Sequence, residues 1–154
     1  MAYEIDDLDR KVLTALRRGD RPSVTDIARM TGLARGTVQT RLARLLDTGV
    51  ITGWGPELGA GAVGHPVTSF TVLSIAQGAL DVVIAGIREI PEVLEVHVTT
   101  GRGDLLCKIV ARNNDHLHQL IQRIVALDGV VRTDSQLALA EPIHRTLADL
   151  VAAR

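Results

Sequence analysis

The chain has 154 residues, 46% apolar and 23% charged, with one cysteine and a formal charge of −1. A chain of this length buries about two thirds of its unfolded surface and needs no disulfide, and the lone Cys107 permits no internal bridge, as expected of a reducing compartment. No apolar run reaches the roughly 18 residues that a membrane span needs, the acidic opening MAYEIDDLDR does not read as a secretory leader, and an aromatic content of 2% argues against base-stacking platforms for single strands or RNA.

Residues 5–18 place Ile5, Leu8, Val12, Leu13 and Leu16 on one helical stripe. Asp6 is suited to the N-cap, with Asp9 three residues on, and Gly19 to the stop. After Pro22, Ser23 is placed to cap a short helix that turns Ile27 and Ala28 inward. Thr31-Gly32 then make a tight turn, for which glycine supplies the backbone freedom. A third helix is expected over residues 35–48, with Val38, Leu42, Leu45 and Leu46 inward and Gly49 at its end. Ala34 leaves its start without a side-chain cap. Residues 50–54 read as a strand. Three short helices, a turn at Gly32 and a following strand match a winged helix-turn-helix. The competing reading is a purely structural three-helix bundle.

Charge placement supports the first reading. Between Arg17 and Arg44 lie seven arginines (17, 18, 21, 29, 35, 41 and 44) and two acids, Asp20 and Asp26, whereas residues 4–9 carry four acids and no base. A basic stripe in a neutral chain suits a small module that displaces counterions from phosphates; a solvated helical face is the alternative. On the third helix the outward arc is Gly36, Thr37, Thr40, Ala43, Arg44 and Asp47, flanked by Arg35, Gln39 and Arg41. Small residues allow close approach to the major groove, and hydroxyl, amide and guanidinium groups meet base edges and phosphates. The DNA-contact candidates are Arg35, Thr37, Gln39, Thr40, Arg41 and Arg44.

Residues 55–65, rich in glycine, read as a linker. They divide a DNA-binding domain over 1–54 from a second domain over 66–154. In the latter a strand (67–75), a helix (80–90), two strands (94–99 and 104–111), a helix (115–127) and a strand (131–139) are expected. Ile90-Pro91-Glu92-Val93 and Leu127-Asp128-Gly129-Val130 mark an internal repeat. The order βαββαβ predicts an α+β ferredoxin-like sandwich with both helices on one sheet face. Glu95, His97 and Thr99 alternate with Leu94, Val96 and Val98, so the other face is partly polar, and a homodimer is the simplest cover for it. Residues 145–153 are weakly helical.

These segments also resemble a known family. Residues 6–13 (DDLDRKVL) are similar to the opening of the leucine-responsive/asparagine regulator (Lrp/AsnC, feast/famine) family. Asp26-Ile27-Ala28 through Gly32-Leu33 resemble its helix-turn-helix, and Arg41-Leu42-Ala43-Arg44-Leu45 through Gly49-Val50-Ile51-Thr52-Gly53 its recognition helix and wing. Thr100-Gly101-Arg102-Gly103-Asp104-Leu105-Leu106 resemble the turn between the second and third strands of its ligand domain. Ala34 stands where serine is usual, and Arg102-Gly103 where an aromatic is common. The resemblance implies a bacterial transcription regulator, cytoplasmic and nucleoid-associated, that binds double-stranded DNA. It further implies homodimers assembling into rings, often octamers, and a small effector, commonly an amino acid, held in a cleft between dimers. The effector residues it points to are Thr100, Gly101, Arg102, Gly103, Asp104, Thr133 and Ser135. Two glycines leave backbone N–H groups able to meet a carboxylate. Asp104 is suited either to an α-ammonium or to capping the turn.

Other chemistry is sparse. His116 and His118 sit two apart on a helix and face different ways, and no partner is evident for His97 or His144, so no metal or other cofactor is expected. No Ser-His-Asp order, phosphate loop or dinucleotide fingerprint occurs, so no enzyme is expected. Two other classes stay open: an architectural DNA-binding protein without effector, and an enzyme like the haem-pathway decarboxylases that share this two-domain plan.

Overall fold

The computed structural model describes residues 3–17, 22–55 and 57–152. The expected stop at Gly19, and Arg18, Asp20 and Arg21 of the basic stretch, lie outside the described residues. The chain divides into two compact units, one from residues 1–56 with 142–154, the other from 57–141.

The first unit holds α1 (Asp7–Arg17), α2 (Val24–Thr31), α3 (Arg35–Asp47) and α6 (Leu147–Ala152). Asp6 and Asp9 form a reciprocal cap at the start of α1: Asp9 N donates to Asp6 Oδ1 at 2.8 Å and Asp6 N to Asp9 Oδ2 at 3.2 Å. Ser23 and Asp26 do the same for α2, and Gly32 ends that helix at φ 72°, in the left-handed region. Ala34 supplies no cap to α3. Val12, Ala15, Ile27, Val38 and Leu45 form the small core. Leu46, expected inside, is 39% exposed, because Leu45 and Leu42 already fill that side of α3.

Two expectations are corrected here. No strand forms over residues 50–54. Ile51 N donates to Leu45 O at 2.9 Å, and Val50 and Ile51 cover the core instead; among its described residues the unit has no other strand to pair with. Residues 142–152, expected in the second domain, cluster with the first unit. There α6 packs on α1, and Asp149, which caps Thr146 N at 2.7 Å, also holds the Arg17 guanidinium.

The second unit has the expected order: β1 (Val67–Ile75), α4 (Leu80–Arg88), β2 (Val93–Val98), β3 (Leu105–Ala111), α5 (Asn114–Val125) and β4 (Val130–Ala138). Its antiparallel sheet runs β2-β3-β1-β4. The repeat is visible as two matched turns, Val93 N to Ile90 O at 3.0 Å and Val130 N to Leu127 O at 3.1 Å. One face buries Leu73, Leu105, Cys107 and Ile109 beneath Val83 and Ile87 of α4 and Leu120 and Ile124 of α5. Cys107 is core, and burial pushes its thiol up to about 11. By the strand register, the opposite face carries Phe70, Val72, Leu106 and Val110 at its centre. Glu95 lies toward one edge and holds Lys108 at 3.1 Å and His97 at 3.3 Å. A bulge between Val93 and Glu95 breaks the alternation expected there and leaves Leu94 exposed. In the linker, Gly59 O accepts from Ala62 and Val63, so residues 59–64 form a compact turn.

Candidate nucleic-acid interface and effector site

The turn at Gly32 orients α3 and leaves Arg35, Gln39, Thr40 and Arg44 exposed on it, with Thr37 half-buried. Thr40 Oγ1 donates back to Gly36 O at 2.9 Å, which leaves its oxygen free to accept. The basic stripe is far less cationic than its sequence suggests. Arg17 pairs with Asp149, Arg29 with Asp26 at 2.9 Å, and Arg41 with Asp6 and Asp9. Among the described residues of the stripe, only Arg35 and Arg44 form no ion pair.

Arg41 has a structural partner set that charge counting does not reveal. Its Nη1 donates to Asp9 Oδ1 at 3.0 Å and also to Asp6 Oδ2. Asp9 is fully buried and Arg41 only 20% exposed. The guanidinium lowers the Asp6 carboxyl below its usual range, and Asp6 and Asp9 in return raise the affinity of Arg41 for its proton. Tyr3, outside α3, joins this cluster unheralded and brings Arg44 of the same helix with it. Tyr3 OH donates to Asp9 Oδ2 at 2.7 Å, and the Arg44 guanidinium lies 4.8 Å from the centre of the Tyr3 ring. The Asp6/Asp9 spacing hinted at the cap; nothing local in the sequence marked the contacts to Arg41 or Tyr3.

In the second unit the turn between β2 and β3 is pinned to the end of β1. Asp104 N donates to Leu73 O at 2.8 Å, and Asp104 Oδ2 accepts from Ile75 N at 2.8 Å. Thr99 N donates to Asp104 O at 2.9 Å and Thr99 Oγ1 to Gly103 O at 3.2 Å. Gly101 has φ 116°, and a Cβ on Gly103 would lie 2.2 Å from Val72 Cγ1, so both glycines have a steric reason to be there. One carboxylate oxygen of Asp104 thus pins the turn to β1. Thr133 pairs with Leu73, which places it at the same end of the sheet as the turn. Ser135 pairs with Thr71 further along, and its hydroxyl is 3.0 Å from Thr71 Oγ1. Thr100, Gly101 and Arg102 are exposed at the tip. A cleft of about 400 Å³ between α4 and β2, lined by Ile84, Ile87, Arg88 and Val96 among others, includes none of these residues.

His116 is a core histidine: its Nδ1 accepts from Arg112 N and Nε, both at 3.2 Å, and Nε2 is 3.5 Å from Glu92 Oε1. Among the described residues no group of three or more metal-ligating side chains gathers, and no helix is long and apolar enough to cross a membrane.

Residues 68–148 match the Lrp/AsnC ligand-binding domain, and residues 5–52 a winged helix-turn-helix DNA-binding domain. The chain belongs to the Lrp/AsnC family. It is 32% identical to the Regulatory protein AsnC of Escherichia coli over 148 residues, 94% of this chain and 97% of that one. The E. coli AsnC structure superposes with a TM-score of 0.84 at 30% identity, covering 95% of this chain and 99% of that one. The transcriptional regulator FL11 of Pyrococcus furiosus is 27% identical over 146 residues, 95% of each chain. A transcriptional regulator from Neisseria meningitidis, solved as its L-Met complex, superposes with a TM-score of 0.84 at 25% identity, covering 93% of this chain and 95% of that one. Family membership makes this chain a transcriptional regulator with a DNA-binding helix-turn-helix followed by a ligand-binding domain.

Proposed function

We propose that this chain is an effector-responsive regulator in which α3 enters the major groove, with Arg35, Gln39, Thr40 and Arg44 as its polar contacts and Thr37 beside them. The observation that carries this reading is that Arg35 and Arg44 are exposed on the helix after the Gly32 turn and, among the described residues, engaged in no ion pair. Arg41 is proposed to brace α3 from within, since two carboxylates already occupy it. Affinity for duplex DNA should fall steeply with salt, as phosphate contacts require. A flat response would remove the DNA-facing assignment.

The ligand-binding domain is proposed to take an amino acid, as the Neisseria regulator does in its L-Met complex. Backbone N–H groups around Thr100, Gly101 and Gly103 suit the carboxylate, with Arg102 and Thr133 at the same end of the sheet and Ser135 further in. Asp104 is proposed to order the turn for them. The open sheet face, apolar at Phe70, Val72 and Leu106 with charged residues beside it, has the composition of a protein–protein interface. A homodimer through this face, assembling further into rings as large as octamers, follows as the proposed state. The protein is placed in the cytoplasm, at the nucleoid, and no catalytic step is assigned to it. Thermal-shift screening against the standard amino acids, with sedimentation in parallel, tests both parts. One stabilising amino acid and a dimer-based mass are expected; a monomer that no amino acid stabilises would overturn them.

A further inference from the structure

One buried carboxylate on α1 connects to two of the α3 arginines, Arg41 directly and Arg44 through Tyr3. Asp9 Oδ1 accepts from Arg41, while Asp9 Oδ2 accepts from the Tyr3 hydroxyl at 2.7 Å. The Tyr3 ring in turn lies beneath the Arg44 guanidinium. Arg41 and Arg44 are three apart, neighbours on one side of the helix. We propose that Tyr3 and Asp9 are positioning residues of the DNA interface: Asp9 fixes the Tyr3 ring, and the ring holds the Arg44 guanidinium in its DNA-binding pose. This rests on the reading above that Arg44 meets DNA.

The chemistry of the stack favours presentation over sequestration. A guanidinium stacks through its face, whereas its five N–H donors lie in its plane and point outward. The Tyr3 platform therefore leaves those edges available to a phosphate or to the acceptors of guanine. A free arginine loses much rotamer freedom on binding, and a side chain already held over a ring loses less. The tyrosine hydroxyl gives the ring its fixed place, because its partner carboxylate is fully buried and itself held by Arg41 and by Asp6 N.

The test is a double-mutant cycle in the full chain, read as the dissociation constant for a duplex from the gene's own upstream region at fixed salt. Arg44→Ala is expected to weaken binding about 10-fold or more, and Tyr3→Ala roughly 3–10-fold, the range of a cation–π contact. The double variant should bind within about 2-fold of Arg44→Ala alone, since the ring acts only through that arginine. Tyr3→Phe, which keeps the ring and loses its tether, should fall between wild type and Tyr3→Ala. Val12→Ala, a core change in the same unit, controls for lost stability, and its effect should multiply with that of Arg44→Ala. Factors for Tyr3 and Arg44 that multiply, or wild-type binding by both Tyr3→Ala and Tyr3→Phe, would overturn the positioning role while leaving Arg44 at the interface. Wild-type binding by Arg44→Ala would overturn the Arg44 contact itself, and the positioning role with it.

Discussion

Replacing the buried Asp9 by alanine should do more damage than any single charge change at the surface of the first unit. The carboxylate is fully buried and accepts three hydrogen bonds: Tyr3 OH at 2.7 Å, Arg41 Nη1 at 3.0 Å and Asp6 N at 3.2 Å. Breaking a buried pair by deleting one partner costs about 3–5 kcal/mol, and one hydrogen bond to a charged group contributes about 1.5–3 kcal/mol. Arg41 keeps Asp6 and some access to water, so a cost between those of a buried pair and of one charged hydrogen bond applies, about 2–4 kcal/mol. At about 4–8 °C per kcal/mol for a domain of 60–100 residues, the melting transition of the first unit should fall by roughly 8–30 °C. Asp9→Asn, which keeps one acceptor oxygen, should cost less. Circular dichroism melts of both variants, with the second unit's transition as internal reference, provide the measurement. A loss below about 0.5 kcal/mol, the range of ordinary surface substitutions, would refute the view that Asp9 anchors α3 to α1.

Three further outcomes follow from the geometry. Gly103→Ala should destabilise the second unit by about 1–3 kcal/mol, the usual cost of overpacking, because the new Cβ meets Val72 Cγ1 at 2.2 Å and Leu73 O at 3.1 Å; an unchanged urea midpoint would contradict this. Ala34→Ser should stabilise the first unit by about 0.5–1 kcal/mol, since residue 34 has the extended backbone of an N-cap and lacks only the acceptor; no gain in melting temperature would count against it. The carboxyls of Asp6, Asp26 and Asp149 are all held below their usual range, by the Arg41 guanidinium, the Ser23 hydroxyl and the Thr146 N–H respectively. Below the unfolded aspartate value of 3.8 the unfolded chain binds the protons that these groups resist, so first-unit stability should hold down to about pH 5 and fall below about pH 4; a melting temperature unchanged down to pH 3 would contradict it.

The legible parts of this molecule were those governed by local chemistry. Ser23, Gly32 and the spacing of Val12, Ile27, Val38 and Leu45 specify the three helices, and the paired turns at 90–93 and 127–130 reveal the βαββαβ order. The illegible parts were set by long-range pairing. Arg41 and Asp6 are 35 residues apart and Arg17 and Asp149 are 132 apart, and no periodicity reports such contacts. Counting arginines therefore overstated the free charge on the basic stripe. The same limit hid the return of α6 to α1 and the absence, among the described residues, of a partner strand for residues 50–54. At the candidate effector site the glycines were readable as turn formers, but the bond from Ile75 N that ties down Asp104 belongs to a strand 29 residues away.

The most direct test of the central claim is fluorescence anisotropy of the full chain on labelled duplex from its own upstream region, against a random duplex. Each is titrated with and without every standard amino acid, and Trp54 fluorescence serves as an independent reporter. Preference for the upstream duplex that one amino acid shifts is the predicted result. Equal binding to both duplexes with no amino-acid effect would contradict effector-responsive regulation and favour an architectural DNA-binding protein; no binding at low salt would contradict the DNA-facing role of α3.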